Sequence, residues 1–512
     1  MISLVPAVLA VAFAVAGAAC AVNPVSGRPE MVLVSVAQER RLGQQEAQRV
    51  AQEQGLVRDP AIADYVTALG QRLAAESPRR DIDYAFAVVD QPEPNAFALP
   101  GGYVFVTRGL LVLLNSEDEL AGVVGHEIGH VAARHSVQQL SRAVPLGVLT
   151  GLPGALAGIV SPQLGAALGD AGGVTSRAVL APFNREQERQ ADQLGQAMAA
   201  AAGWDPAALT SALDTLGRHD ALSGRPPGRT TLLDTHPSTP ERVAATRSHA
   251  AELTRVPRAP LSADRAAFLR RLDGLVVGEE AAQGVFEGSL FLHPDLVFAV
   301  RFPDGWETAN GRDQVGAVAP GRTAIATLEM LAESNDPLDG ARAFEKLTGA
   351  TKVVEGARPL TVGTLKAARA RVGARMDSGE AAIELAWIAH GGHVFQLLGV
   401  TPVRRAGELR PVFDQLVSSF RPLTPAERSQ IRELRLRIVG GQAGETLDAL
   451  AARTASGWNA DMIAVANGLP RAARLRAGQL VKVAVSETYA SGGPRSADRP
   501  PLKREPEIRA VP

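Results

Sequence analysis

The stretch Ser116 to Gln139, with His126-Glu127-Ile128-Gly129-His130 at its centre, constrains this 512-residue chain more than any other. It reads as a helix. Ser116 with Glu119 three residues on has the form of a capping box, and Glu117, Asp118 and Glu119 put negative charge at the positive end of the helix dipole. Leu120, Val123, Val124, Ile128 and Val131 recur at helical spacing. Residues four apart stack one turn above each other, so His126 and His130 point the same way. Two neutral imidazoles at that separation can share one zinc ion, and Glu127 beside them can take a proton from a water on the metal. Gly122, Gly125 and Gly129 weaken a helix intrinsically, so their use is close packing against neighbours. An extended HExxHxxGxxH pattern is excluded, because Ala133 and Ser136 stand where it needs glycine and histidine. A third ligand has to come from elsewhere in the chain.

That ligand is expected at Glu188. Asn184 to Ala202 reads as a helix closed by Gly203, with Asp205-Pro206 opening the next one. Glu188 and Asp192 lie four apart on it. One carboxylate is placed to bind metal and the other, a turn away, to accept the free ring N–H of a ligand histidine. Without the HExxH helix, two acids on a helix would read as a solvated face. Ahead of the HExxH helix, Val36 to Gln54 and Pro60 to Ala74 read as charged amphipathic helices and Asp83 to Val89 as a strand. In Asn95 to Val106 the turn Pro100-Gly101-Gly102 precedes four β-formers, so a strand is expected there. Gly102, Tyr103 and Val104 would be its substrate-binding backbone, pairing with an extended peptide.

Charge is balanced, with 53 basic and 54 acidic residues, which gives no sign of nucleic-acid binding. There is one cysteine, so no internal disulfide is possible. Leu4 to Ala19 is an uncharged apolar run that fits a signal-peptide core. Cys20 follows Gly17-Ala18-Ala19 and resembles the acylated cysteine of a bacterial lipobox, although Gly17 replaces the usual leucine and no basic residue precedes the core. Ordinary cleavage, or an uncleaved anchor, is the other reading. Ala143 to Gly169 carries no charge, but Pro145, Pro153 and Pro162 would break a spanning helix. A mobile flap or an interfacial hairpin is expected there.

His126 to His130, Glu188-Arg189-Gln190-Ala191-Asp192, Asn95 to Val106 and Thr235-His236-Pro237 together resemble the HtpX-like and CAAX-prenyl-protease-like family of gluzincin zinc metallopeptidases, in order and in spacing, over about residues 20–250. Asn23-Pro24-Val25-Ser26-Gly27-Arg28 is similar to the exported, lipoprotein-type members. The resemblance implies one zinc ion per chain on His126, His130 and Glu188, with Glu127 as catalytic base. It implies that His236 approaches the zinc, either holding the site at rest or steadying the transition state; a loop histidine capping the helix near Pro240 is the alternative. It further implies a periplasmic location, substrates among unfolded or misassembled envelope proteins, and a lipid on Cys20 holding the chain to the membrane. Ala21 after that cysteine favours the outer membrane. His135, five residues past His130, falls round the helix from the metal face and is expected to be structural, while Arg134 should pair with an acid the sequence does not name.

Beyond Pro257 the character changes. Strand-like runs between Phe286 and Phe420 alternate with helix-like stretches at Asp339 to Leu347 and Ala406 to Ser419. His390-Gly391-Gly392-His393 reads as a hairpin turn and not a metal site. Arg435 to Val485 resembles a LysM-type module in its strand–helix–helix–strand order, which implies a hold on peptidoglycan. No 34-residue helical repeat is present. The expected fold is α+β: a signal peptide (1–20), a mainly helical gluzincin metalloprotease domain with a small sheet (21–257), a linker (258–285), an antiparallel α+β domain (286–425), a LysM-like βααβ module (430–486) and a disordered tail (487–512). Three functions fit this reading: a zinc metalloendopeptidase of the envelope, a chaperone-like binding protein whose protease site is mostly shut, and a peptidoglycan-associated cell-wall factor.

Overall fold

The computed structural model describes residues 20–490 apart from 24, 26, 28, 32–33, 144–181, 224–230, 238 and 377–378. The expected signal core, the flap or hairpin beyond Ala143 and most of the expected tail lie outside the described residues. Among the described residues no helix is long and apolar enough to cross a membrane.

Strands β1 (Cys20–Val22) and β2 (Pro29–Met31) pair antiparallel. Helix α1 (Val36–Glu53) starts on a Ser35/Gln38 capping box, and α2 (Pro60–Ala74) on Asp59 followed by Pro60. A three-stranded sheet follows, made of β3 (Ala85–Val89), β4 (Ala96–Leu99) and β5 (Tyr103–Thr107). β5 lies in the middle, parallel to β3 and antiparallel to β4. The turn into β5 needs its two glycines, since Gly101 and Gly102 have φ of 81° and 102°. The short helix α3 (Arg108–Leu113) leads into α4 (Glu117–Ala132), the HExxH helix.

Ser116 caps α4 by accepting from the Glu119 amide, but the Glu119 carboxylate accepts from Asn115 N at 2.6 Å and not from Ser116, so the expected box is half made. Buried Glu117 accepts from Tyr65 Oη (2.9 Å), Trp204 Nε1 (2.7 Å) and Leu261 N (2.7 Å), tying the start of α4 to three distant segments. The helix ends sooner than the pattern predicts. Arg134 adopts a left-handed φ of 57°, and α5 (His135–Ala143) begins anew after it. The acid that holds Arg134 there is Glu39, at 2.9 and 3.1 Å, and Glu39 also takes two hydrogen bonds from Arg79.

Helix α6 (Arg185–Ala202) opens on an Asn184/Gln187 capping box and closes on left-handed Gly203. It crosses α4 at contact distance. A Cβ on Gly125 would stand 2.9 Å from Gly195 O, and one on Gly129 2.8 Å from Ala191 O. On Gly122 it would meet Leu209 of α7 (Ala208–Ser223) at 3.0 Å, so all three helix glycines serve close packing as expected. The domain continues through α8 (Leu232–Thr235) and α9 (Pro240–Glu252).

Residues 258–285 are not a bare linker. They carry α10 (Arg265–Leu272) and β6 (Val276–Val277), and β6 pairs with a strand near the carboxyl end. Strands β7 (Val285–Glu287), β8 (Leu290–His293) and β9 (Phe298–Arg301) start a second region. It holds a seven-stranded antiparallel sheet of β10 (Glu307–Asn310), β11 (Gln314–Val318), β12 (Ile325–Ala332), β13 (Arg358–Val362), β14 (Leu365–Met376), β15 (Gly379–His390) and β16 (His393–Pro402), in the order β10-β11-β12-β16-β15-β14-β13. Helix α11 (Pro337–Thr348) and the short α12 (Val353–Gly356) cover one face, where Phe344 meets Trp387. Helix α13 (Ala406–Ser419) covers the other through Phe413 and Leu416. His390 and His393 pair across Gly391-Gly392 as a hairpin turn. β17 (Arg421–Pro422) completes the small sheet with β9.

After α14 (Pro425–Gln430) come β18 (Arg432–Gly440), α15 (Leu447–Arg453), α16 (Ala460–Ala466) and β19 (Leu480–Thr488), which keeps the expected strand–helix–helix–strand order. This segment is fused to the amino-terminal domain. One buried cluster joins Leu69, Leu120 and Val124 to Leu436, Leu450, Ile463 and Val483. At its centre lies Lys482, fully buried, whose Nζ donates to the carbonyls of Val112 (2.9 Å), Leu113 (2.9 Å) and Leu114 (2.8 Å) at the end of α3. Burial pulls its pKa down while Glu119 opposes that, and three acceptors for three protons fit the ammonium form. Lys482→Met leaves those carbonyls without their donor and is expected to cost on the order of 3 kcal/mol. Urea unfolding followed by circular dichroism measures it, and an unchanged midpoint would show that the contact contributes nothing.

Candidate metal centre

Four buried side chains from three places in the chain converge: His126 and His130 from α4, Glu188 from the first turn of α6, and His236 from the turn after α8. The Nε2 atoms of His126 and His130 are 3.0 Å apart, and His236 Nδ1 is 3.2 Å from His126 Nε2. Glu188 brings Oε1 to 3.5 Å from His130 Nε2 and 2.9 Å from His236 Nδ1, and Oε2 to 3.6 Å from His126 Nε2. A tetrahedron with zinc–ligand bonds of about 2.0–2.1 Å has edges of roughly 3.3 Å, so these separations suit one zinc ion. Three ring nitrogens and a carboxylate buried around one point are the donor set that zinc takes. Glu127, beside them and 0% exposed, has no hydrogen-bond partner on either carboxylate oxygen among the described residues. A buried carboxylate left so is a group held for a ligand.

The surroundings orient the donors. His126 Nδ1 lies 2.9 Å from Asp192 Oδ1, one turn along α6 from Glu188, the pairing that the spacing predicts. Asp192 is in turn held by Arg242 through Nε and NH2, each at 2.8 Å, and Arg242 NH1 meets Glu188 Oε2 at 2.6 Å. Arg242, which follows Thr235-His236-Pro237 in the segment that carries the resemblance, had no partner named from the sequence. Its signal was the Thr239-Pro240 helix start, which puts it in the first turn of α9, with Thr239 accepting from its amide.

Burial alone would raise the Asp192 pKa, but hydrogen bonds from Arg242 and His126 outweigh it and bring it to about 2. Glu188 is lowered too, against its burial, by His236, His126 and Arg242. Burial, helped by the neighbouring imidazoles, drops His130 well below its usual value. A carboxylate and a neutral imidazole are the forms that bind metal. Burial pulls His236 down, yet Glu127 and Glu188 hold it above its ordinary pKa, a shift that a cation between them would reverse.

Three expectations are adjusted by the geometry. His135 is not turned away from the metal side, because the break at Arg134 swings it back: its Nδ1 is 3.0 Å from His130 Nδ1 and its Nε2 3.0 Å from Gln190 Oε1. Helical extrapolation through residue 134 misplaced it. Tyr103 and Val104 lie on β5, whose two edges are both paired, and Gly102 lies in the turn before it. The outer strands of this sheet are β3 and β4; β3 carries an isolated bridge from Val89 to Leu56 on its other side, and none is recorded for β4 among the described residues. His236 does not cap α9, because Thr239 does.

Two helix histidines with a glutamate between them and a second glutamate from a later helix are the donor arrangement of gluzincin metallopeptidases. Residues 60–250 match the model of Peptidase family M48. Similar proteins include the beta-barrel assembly-enhancing protease of Escherichia coli (strain K12), 30% identical over 223 residues that make up 43% of this chain and 45% of that protein. The mitochondrial metalloendopeptidase OMA1 of Schizosaccharomyces pombe is 33% identical over 223 residues, 43% of this chain and 63% of that one. Metalloprotease YcaL of Escherichia coli (strain K12) is 31% identical over 149 residues, 29% and 55% of the two chains. The chain thus spans about half the length of the curated relatives it matches.

Asp192→Ala removes the acceptor for His126 and the anchor for Arg242. It is expected to weaken zinc binding about 10–100-fold, as read by competition with a chelating dye. A change of less than twofold would deny Asp192 this part.

Proposed function

We propose that this chain is a zinc-dependent metalloendopeptidase of the cell envelope that hydrolyses peptide bonds in misfolded or stalled envelope and outer-membrane proteins. One observation carries the reading: the buried carboxylate of Glu127, with no hydrogen bond on either oxygen among the described residues, lies beside a cluster of donors, His126, His130 and Glu188, spaced for one zinc ion. That ion, when bound, supplies Lewis acidity that polarises a carbonyl and brings the pKa of water toward about 7. Glu127 takes the proton of the attacking water and passes it to the leaving amine. Arg242 keeps Glu188 and Asp192 ionised and in place. The outer edge of β4 is the backbone on which an extended peptide pairs.

A second reading is favoured by the position of His236, with Nδ1 2.9 Å from Glu188 and Nε2 3.5 Å from Glu127. It can fill the fourth position and hold the site shut at rest, as a chaperone-like protein would need, or it can steady the transition state. Likeness to the E. coli beta-barrel assembly-enhancing protease supports a barrel-protein substrate, and the strand–helix–helix–strand order of residues 432–488 supports a LysM-like hold on peptidoglycan. A lipid on Cys20 would place the chain at the periplasmic face of the outer membrane. A peptidoglycan-associated cell-wall factor is the competing reading, and incubation with unfolded barrel proteins and with sacculi separates the two by which is cleaved.

Glu127→Gln is expected to abolish hydrolysis of an unfolded protein substrate while retaining one zinc per chain. Cleavage at even a tenth of the parent rate would remove Glu127 from the mechanism. His236→Ala is expected to raise the rate if His236 shuts the site at rest and to lower it if the imidazole steadies the transition state; an unchanged rate would leave it neither part.

A further inference from the structure

We propose that His135 and Gln190 are positioning residues which fix the proton of His130 on Nδ1, leaving its Nε2 free for the cation. This role rests on zinc being held by His126, His130 and Glu188. The two rings face each other through their Nδ1 atoms at 3.0 Å, so only one of those atoms carries a hydrogen. A metal-ligating Nε2 must present a lone pair, which puts the His130 proton on Nδ1 and makes His135 Nδ1 the acceptor. The His135 proton then sits on Nε2, where Gln190 Oε1 accepts it at 3.0 Å. The opposite assignment would place a proton on His130 Nε2, 3.0 Å from the Nε2 of His126, and the ligand would be lost.

The relay is built into the backbone. The left-handed turn at Arg134, clamped by Glu39, is what returns His135 to the ring of His130. Gln190 sits on α6 between Glu188 and Asp192, so one helix supplies a ligand, the acceptor for His126 and, through His135, the orientation of His130. Phe183 stacks on His130 at 4.0 Å and closes the remaining side of its ring. The two ligand histidines are therefore oriented by different means, His126 by a charged carboxylate and His130 by a neutral relay.

The test uses the full-length chain stripped of metal, with zinc alone as probe in competition with a chelator, and cobalt(II) absorption as a second readout. His135→Leu is expected to weaken zinc 10–100-fold and to alter the cobalt spectrum. His135→Asn, whose Oδ1 can stand in for Nδ1, is expected to recover most of the loss. Zinc affinity within twofold of the parent in His135→Leu overturns the proposal, and so does an Asn variant as weak as the Leu variant, which would mean that packing and not the acceptor matters. Should His135→Leu fail to fold by circular dichroism, Gln190→Leu and Gln190→Glu decide: the first is expected to bind zinc several-fold more weakly than the second, and equal affinities overturn the relay. A parent chain that binds no zinc overturns the metal site itself, an outcome distinct from an unaffected variant.

Discussion

The site depends on how closely two helices approach. At Gly125, Gly129 and Gly195 the backbones of α4 and α6 touch, and a Cβ on Gly195 would stand 2.6 Å from the amide nitrogen of His126. Any larger residue would push α6 outward and carry Glu188 with it, while His126 and His130 stayed behind. Glycine weakens each helix by about 1 kcal/mol per site relative to alanine. The loss is offset by packing that alanine would forbid, and by the chemistry that the contact assembles.

Around that contact the chain buries charge only in matched sets. Glu39 faces both Arg79 and Arg134, Glu117 accepts from a tyrosine, a tryptophan and backbone amides, and Arg242 serves Asp192 and Glu188 at once. An isolated buried charge would cost several kcal/mol, so each set is an all-or-none arrangement. Each also spans segments far apart in sequence, which makes the position of α4 a property of the whole domain and not of its own helix propensity. Glu127 is held more loosely, with no hydrogen bond on either oxygen among the described residues and His236 Nε2 at 3.5 Å.

Much of this was legible in the sequence where the determinant is local. The cap at Ser116 set a helix start, and the i to i+4 spacing of His126 with His130 and of Glu188 with Asp192 put both pairs on common faces. The failures share a cause. The helix break at Arg134 is imposed by Glu39, nearly a hundred residues upstream, so no local signal announced it, and His135 was misplaced in consequence. The pairing partner that turns residues 276–277 from linker into strand lies in β18. The choice of β4 over β5 as the open edge depends on β3, which pairs in parallel from before the turn. A hairpin pattern cannot reveal that.

Lys482 has a consequence for the order of events during synthesis. Its ammonium group closes the carbonyl end of α3, directly before the capping residue of the catalytic helix, and it lies 370 residues downstream of Val112. A chain made from its amino terminus carries both zinc histidines and the glutamate long before this lysine emerges. Contacts of such sequence separation form late, because the intervening loop must first be closed. The support beneath the start of α4 is therefore completed only after residue 482 has been made, later than every donor of the metal cluster.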